Sequence, residues 1–223
     1  MSTSAALYKL QSWLSPSYPV GAYAFSHGLE NAVDTSLVTT AGEVTDWVGS
    51  TMSAGNGFAD LVFLAAAWDA AASEEDLFPI VELAYAFQMT SELRTESTAQ
   101  GTAFLRATNE AWPCAALTKL PTDIPIAYPV AVGVTAAGHG IDRALTMRAY
   151  GHAFVANLVS AAIRLIPLGQ TEGQKAIAAL ERVVDAAVQR ALKTPLDRIA
   201  TSTMMVDIVS MQHETQYTRL FRS

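Results

Sequence analysis

From residue 172 onward the chain repeats apolar side chains at steps of three and four. Ile177, Leu180, Val184, Val188 and Ala191 fall on one side of a helical wheel, while Glu181, Asp185, Gln189 and Arg190 fall elsewhere. That is the pattern of an amphipathic helix with one face committed to a core. Comparable spacing, interrupted by turn residues, predicts helices over residues 4–14, 22–36, 41–55, 58–72, 74–108, 113–120, 125–139, 142–166, 172–192 and 196–212. Start signals accompany several of them. Thr40 with Glu43, Ser73 with Asp76, Thr171 with Gln174 and Thr194 with Asp197 have the separation at which an N-cap hydroxyl and an N3 side chain satisfy exposed amides, and Pro195 suits a first helical position. No stretch alternates apolar and polar residues between hairpin turns, and the Val-rich run at 130–134 is flanked by Ala and Gly. The pattern predicts an all-α fold, a single-domain helical bundle of about ten helices over residues 1–223, with residues 212–223 left over as a C-terminal docking tail. The loop at 120–125 is the strongest internal punctuation, but composition is similar on its two sides, and no repeat or low-complexity segment occurs.

Composition then narrows the partners. Hydrophobic residues make up 51% of the 223 positions and charged residues only 16%, and mean hydropathy is +0.23. Polar side chains are therefore scarce relative to the surface they must cover, and apolar surface is expected to remain for protein partners. The apolar runs at 61–68 and 128–138 fall short of the roughly 18–20 residues of a membrane span and read as core helices. A formal net charge of −7 and a pI near 5.0 oppose attraction to phosphate backbones and anionic headgroups, so neither nucleic acid nor membrane is expected. Cys114 is the only cysteine, which excludes an internal disulfide and fits a reducing compartment. The first sixteen residues carry one basic side chain, Lys9, and no sustained apolar run, so no secretory signal is expected and the cytoplasm is the expected location.

Candidate chemistry is sparse. Residues 169–175 contain two glycines and Lys175 but lack P-loop spacing and a preceding strand; Pro167 and Gly169 read as the end of one helix and Thr171 as the cap of the next, leaving Gln170 and Gln174 without a structural reason. Ser26, His27 and Glu30 would share one surface of a helix over 22–36, so a hydrolytic arrangement is conceivable there, although a serine adjacent to its base on a continuous helix rarely has the geometry. His213 and Glu214, with His139 and His152 far off in sequence, do not have metal-ligand spacing. No catalytic, cofactor-binding or metal-binding residue is expected. Glu92 and Glu96 bracket Arg94 as on a charged, solvated helix face. The final stretch combines His213, Glu214, Tyr217, Arg219, Leu220, Phe221 and Arg222, residue types that protein interfaces favour. Because short helices are marginal in water, this tail is expected to be mobile until a partner orders it, with Tyr217, Leu220 and Phe221 on one face of a helical turn.

Four segments together resemble the urease accessory protein UreF family. They are Ser15-Pro16 through Pro19-Val20-Gly21 to Ser26 and Gly28-Leu29-Glu30; residues 91–101; Arg164 through Pro167-Leu168-Gly169-Gln170 to Gly173-Gln174; and the tail from His213. The resemblance covers essentially the whole chain. It implies an all-helical homodimer that hydrolyses nothing itself and joins UreD (also called UreH) to the GTPase UreG in the complex that inserts nickel into apo-urease. On that reading the tail engages UreD, while the surface near Glu30, Gln170 and Gln174 engages UreG. The rival readings are a helical enzyme using Ser26, His27 and Glu30, and a small-molecule-binding helical bundle.

Overall fold

The computed structural model describes residues 2–223, and among these no strand occurs. Helices α1 (Thr3–Trp13), α2 (Leu29–Asp34), α3 (Ala41–Ala54), α4 (Asn56–Ala72), α5 (Phe78–Ala86), α6 (Ser91–Ala111), α7 (Tyr128–Gly138), α8 (Arg143–Leu165), α9 (Gln170–Ala191) and α10 (Met204–His213) follow one another along the chain. The fold is all-α.

The helices that are apolar all round form the centre. Helix α4 buries Phe58 to Ala65 without interruption, and α7 buries Pro129 to Ala136, as expected of helices with no face to offer water. They pack tightly against each other: a Cβ on Gly133 of α7 would lie 2.5 Å from the Leu64 carbonyl of α4, so only glycine permits this approach. Helices α3, α8 and α9 close one side, and α9 turns its stripe of Ala176, Leu180, Val184 and Val188 inward. Helix α6 covers α7, and α2 and α10 pair at the edge. One contiguous apolar cluster runs from Ala6 to Phe221.

Helix positions are largely those of the hydrophobic pattern; the interruptions differ. Residues 22–36 are not one helix. A 3-10 turn at Ala22–Ala24 leads to extended Phe25, and His27 (φ 58°) and Gly28 (φ 77°) are both left-handed, so α2 begins only at Leu29. A Cβ on Gly28 would lie 3.0 Å from the backbone nitrogen of Ser210, which is how α2 comes to rest directly on α10. The 74–108 helix is two, because Thr90 caps α6 by accepting from the Leu93 amide (3.1 Å). The 196–212 helix reduces to a 3-10 turn at Leu196–Arg198 and α10; the Ser202 amide between them donates to the Ala54 carbonyl at 2.8 Å. The expected helix at 113–120 is likewise a 3-10 turn, Ala115–Lys119.

Of the four capping boxes, Thr40 with Glu43 forms in full. Ser73 instead ends α4, and Asp76 accepts from the Phe78 amide. Thr171 lies inside α9, whose N-cap is Gly169. The Thr194 hydroxyl donates back to the Arg190 carbonyl, and Pro195 is an N-cap residue rather than the first helical one.

Candidate functional site

The densest polar structure in the molecule lies where α2, α6, α10 and the tail meet. Glu30 stands in the first turn of α2, a position favoured for a carboxylate because the helix dipole and free amides point toward it. One of its oxygens accepts from the Leu220 amide (2.6 Å), the other from the Phe221 amide (2.9 Å). The second oxygen also faces Nε2 of His213, 2.9 Å away. His213, wholly buried at the end of α10, turns Nδ1 to Glu92 of α6 at 2.8 Å. Holding both contacts as hydrogen bonds takes one proton more than a neutral imidazole carries, placed on the ring or on Glu92. Burial raises the pKa of Glu92, against the opposing pull of His213 and Arg219. The Arg219 guanidinium donates to the second Glu92 oxygen at 3.1 Å.

Beyond this clamp the tail continues inward. The Arg222 amide donates to the Ala24 carbonyl (2.8 Å), and the Ser223 carbonyl accepts from both the amide (2.8 Å) and the hydroxyl (2.5 Å) of Ser26. The Ser223 hydroxyl donates to Glu96, one helical turn on from Glu92, at 2.6 Å. Phe221 is buried beneath the Arg164 guanidinium, which lies 4.2 Å from its ring centroid. Farther along the chain, Ser91 donates to Glu214, and Asn31 to the side chain of Gln216 (3.0 Å).

A second polar group adjoins the first. Nδ1 of His27 faces Glu96 at 3.4 Å, and the His27 ring packs edge-on against Phe154. Burial alone would lower the His27 pKa, but the charge and hydrogen bond of Glu96, with Asp60 and Asp207 beyond, raise it overall. Asp60 is the opposite case. Burial in α4 pushes its carboxyl up to about 7, although Tyr150 donates to it at 2.6 Å.

The tail is thus docked on its own chain in this structure, contrary to the expectation of a mobile segment, because Glu30, Glu92, Glu96 and Ser26 answer its polar groups one by one. Nor do Tyr217, Leu220 and Phe221 share the face of a helical turn. Helix α10 stops at His213, and in the irregular chain beyond it Phe221 points inward while Tyr217 is fully exposed and Leu220 is 64% exposed. Ser26, His27 and Glu30 do not assemble as a catalytic set either: the left-handed backbone at 27 and 28 sends the imidazole to Glu96, and the serine hydroxyl binds the tail. Gln170 and Gln174 are exposed at the start of α9, and among the described residues no hydrogen bond joins them to the Glu30 cluster. His139 contacts Lys9 and the Trp112 carbonyl, away from His213. Among the described residues no group of three His, Cys, Asp or Glu side chains is placed to hold a metal ion.

Sequence reasoning took Glu92 and Glu96 for a solvated charged face, whereas both are buried under the tail, and it passed over Asp60. The signal existed for the first two: Glu92, Glu96 and Gln100 recur every four residues, a polar stripe with no Lys or Arg spaced to neutralise it. Asp60 interrupts an apolar helix between Ala59 and Leu61, where a charge has to find a partner.

Fold and site define an all-helical protein whose most elaborate polar structure holds its own tail rather than an assembled set of reacting groups. A UreF family profile matches residues 38–181. Over 99% of the chain, "Urease accessory protein UreF" of Rhodopseudomonas palustris (strain BisB5) is 47% identical, with 92% of that protein covered. The protein of the same name from Bradyrhizobium diazoefficiens is 45% identical over 99% of the chain and 93% of its own length, and that from Methylorubrum populi 43% over 96% and 98%. The chain belongs to the UreF family of urease accessory proteins, and is not itself an enzyme.

Proposed function

We propose that this chain is a urease maturation factor, acting in the cytoplasm as a homodimer, that bridges UreD (UreH) and the GTPase UreG during nickel insertion into apo-urease and regulates the GTPase. The observation that carries the reading is the division of the tail into an inner and an outer face. Phe221, Ser223 and the amides of residues 220 and 221 are tied to the body, while Tyr217, Arg219, Leu220 and Arg222 remain at the surface. A segment already ordered by its own chain offers these side chains without the entropic cost of folding on binding. Tyr and Arg are the residue types that most often dominate interface energies. The tail surface, with Met211 exposed beside it on α10, is assigned to UreD, and the exposed Gln170 and Gln174 with the neighbouring surface to UreG. Glu30, His213 and Glu214 act by holding the tail in shape.

The test is purification of a tagged copy from cells expressing the urease operon. UreD and a P-loop GTPase are the expected companions. The double variant Tyr217→Ala/Leu220→Ala, which touches only outward side chains, loses UreD while its melting temperature stays within about 2 °C of the parent, as surface changes do. Undiminished recovery of UreD with this variant overturns the tail assignment.

A further inference from the structure

His213 is wholly buried between two carboxylates, with Nδ1 2.8 Å from Glu92 and Nε2 2.9 Å from Glu30. A neutral imidazole has one N–H and one bare nitrogen, so it can donate to one ionised carboxylate and sets a lone pair against the other. One further proton, on the ring or on Glu92, turns both contacts into hydrogen bonds. Burial, which raises the Glu92 pKa, works toward keeping it. The same two carboxylates fasten the tail: Glu30 accepts from the amides of Leu220 and Phe221 (2.6 and 2.9 Å), and Glu92 from the Arg219 guanidinium (3.1 Å).

The charges around His213 sum in favour of that proton. Glu30 faces it from α2, Glu92 from α6 with Glu96 one turn on, and Arg219 stands behind Glu92 on the tail. Glu214 follows in the chain, acts on Glu92 by its charge and is held by Ser91. Asp207, earlier on α10, couples to His27, and Arg164 of α8 lies over the Phe221 ring. With the added proton the set Glu30, Glu92, His213 and Arg219 is neutral. Without it a negative charge stays buried and unanswered, which is costly.

We propose that docking of the tail is coupled to a proton: the docked tail holds one in the Glu30–His213–Glu92 relay, the released tail gives it up, and rising pH therefore frees the tail. Lifting the tail removes the amide donors of Glu30 and the guanidinium of Glu92 and admits water to the relay. An imidazole in water holds its proton only below about pH 6.5, and a glutamate only below about pH 4.3. The docked form thus has the higher proton affinity. Its advantage is complete below about pH 6.5 and is lost as pH rises above that value, by up to about tenfold in the ratio of docked to released tail per pH unit for one proton. The device is complete within one chain. It does not rest on the docking reading, and can be tested on the isolated protein.

The test is residue-resolved hydrogen exchange of the full chain from about pH 6.5 to about pH 8.5, each rate divided by the intrinsic rate at that pH so that it reports the opening equilibrium. Protection of the Leu220 and Phe221 amides falls by up to about tenfold per pH unit, more steeply than that of the α4 amides, which exchange through unfolding of the core. Glu92→Gln supplies the bare ring nitrogen with an N–H and still offers Arg219 an oxygen, so a neutral imidazole satisfies both neighbours. In that variant the tail remains docked and the excess pH slope of its amides disappears. Tail protection that is constant with pH overturns the proposal, as does a decline merely parallel to that of α4, or a Glu92→Gln variant that keeps the parental slope. If Glu92→Gln fails to fold, the comparison of tail with α4 in the parent still decides.

Discussion

Glu30 illustrates how much a single side chain does here. It serves the amides of residues 220 and 221 and the imidazole of His213 at once. Glu30→Ala leaves these donors facing a void, and a buried donor without its acceptor costs about 1–3 kcal/mol. A loss of about 3 kcal/mol in urea unfolding is expected, with faster hydrogen exchange at the amides of Leu220 and Phe221; Glu30→Gln, which keeps one acceptor oxygen, is milder. Asp60 sets a pH dependence. Its folded pKa of about 7 lies above the ordinary value of 3.8, so the folded state holds its proton more tightly, and stability is lost as pH rises from about 4 to about 7. The raised pKa values of His27, Glu92 and Asp207 act in the same sense. His139, whose pKa is lowered by burial, acts against them. The Asp60 share is isolated by comparison: melting curves at pH 5 and pH 8 diverge in the parent, and Asp60→Asn narrows the difference. A gap unchanged by the substitution would remove Asp60 from the account.

Among the elements, α9 was the most legible. Its apolar stripe, spaced by the helical period, is the face that the structure buries. Interruptions were harder to read. The break before α6 depends on Thr90, one polar residue between two apolar stretches, and the break before α2 on two consecutive left-handed residues, of which only Gly28 announces itself in sequence. Polar side chains with long-range partners were the least legible: Glu92 reads as a solvated charge until the tail, more than a hundred positions later, is laid against it. The loop before α9 carries a prediction of its own. Residues 169–175 start a helix from an extended Gly169, without the strand and lysine placement that cradle a nucleotide's phosphates. Isothermal titration of the pure protein with Mg·GTP should therefore give no heat of binding; micromolar affinity would contradict it.

At the scale of the whole molecule, the low charged fraction takes visible form. Met204, Met205 and Met211 on α10 and Tyr217 in the tail are all substantially exposed, as are Tyr8 on α1 and Tyr23 before α2. Among the described residues no helix is long and apolar enough to cross a membrane, and exposed apolar side chains of this kind are what protein interfaces use. For the proposed homodimer, light scattering should give twice the 23.8 kDa chain mass; a mass that stays monomeric up to high micromolar concentration would refute it.

The contacts that fasten the tail also have a consequence in time. Glu30 meets residues 190 and 191 positions further on, and Ser26 meets a residue 197 positions away. Chains emerge from the ribosome N-terminal end first, so α2 and α6 are made long before the segment that completes their polar cluster exists. The cost of bringing such distant positions together grows only with the logarithm of their separation and does not forbid closure. It does place closure last. Any truncated product that stops short of His213 would leave Glu30 and Glu92 without their His213 and tail partners, leave Glu96 with only His27 and Gln100, and lack the outward face of the tail altogether. Arranged in this way, the outward face of the tail takes shape only after synthesis has run through to that segment, and on the proposed reading an unfinished chain lacks the surface assigned to UreD.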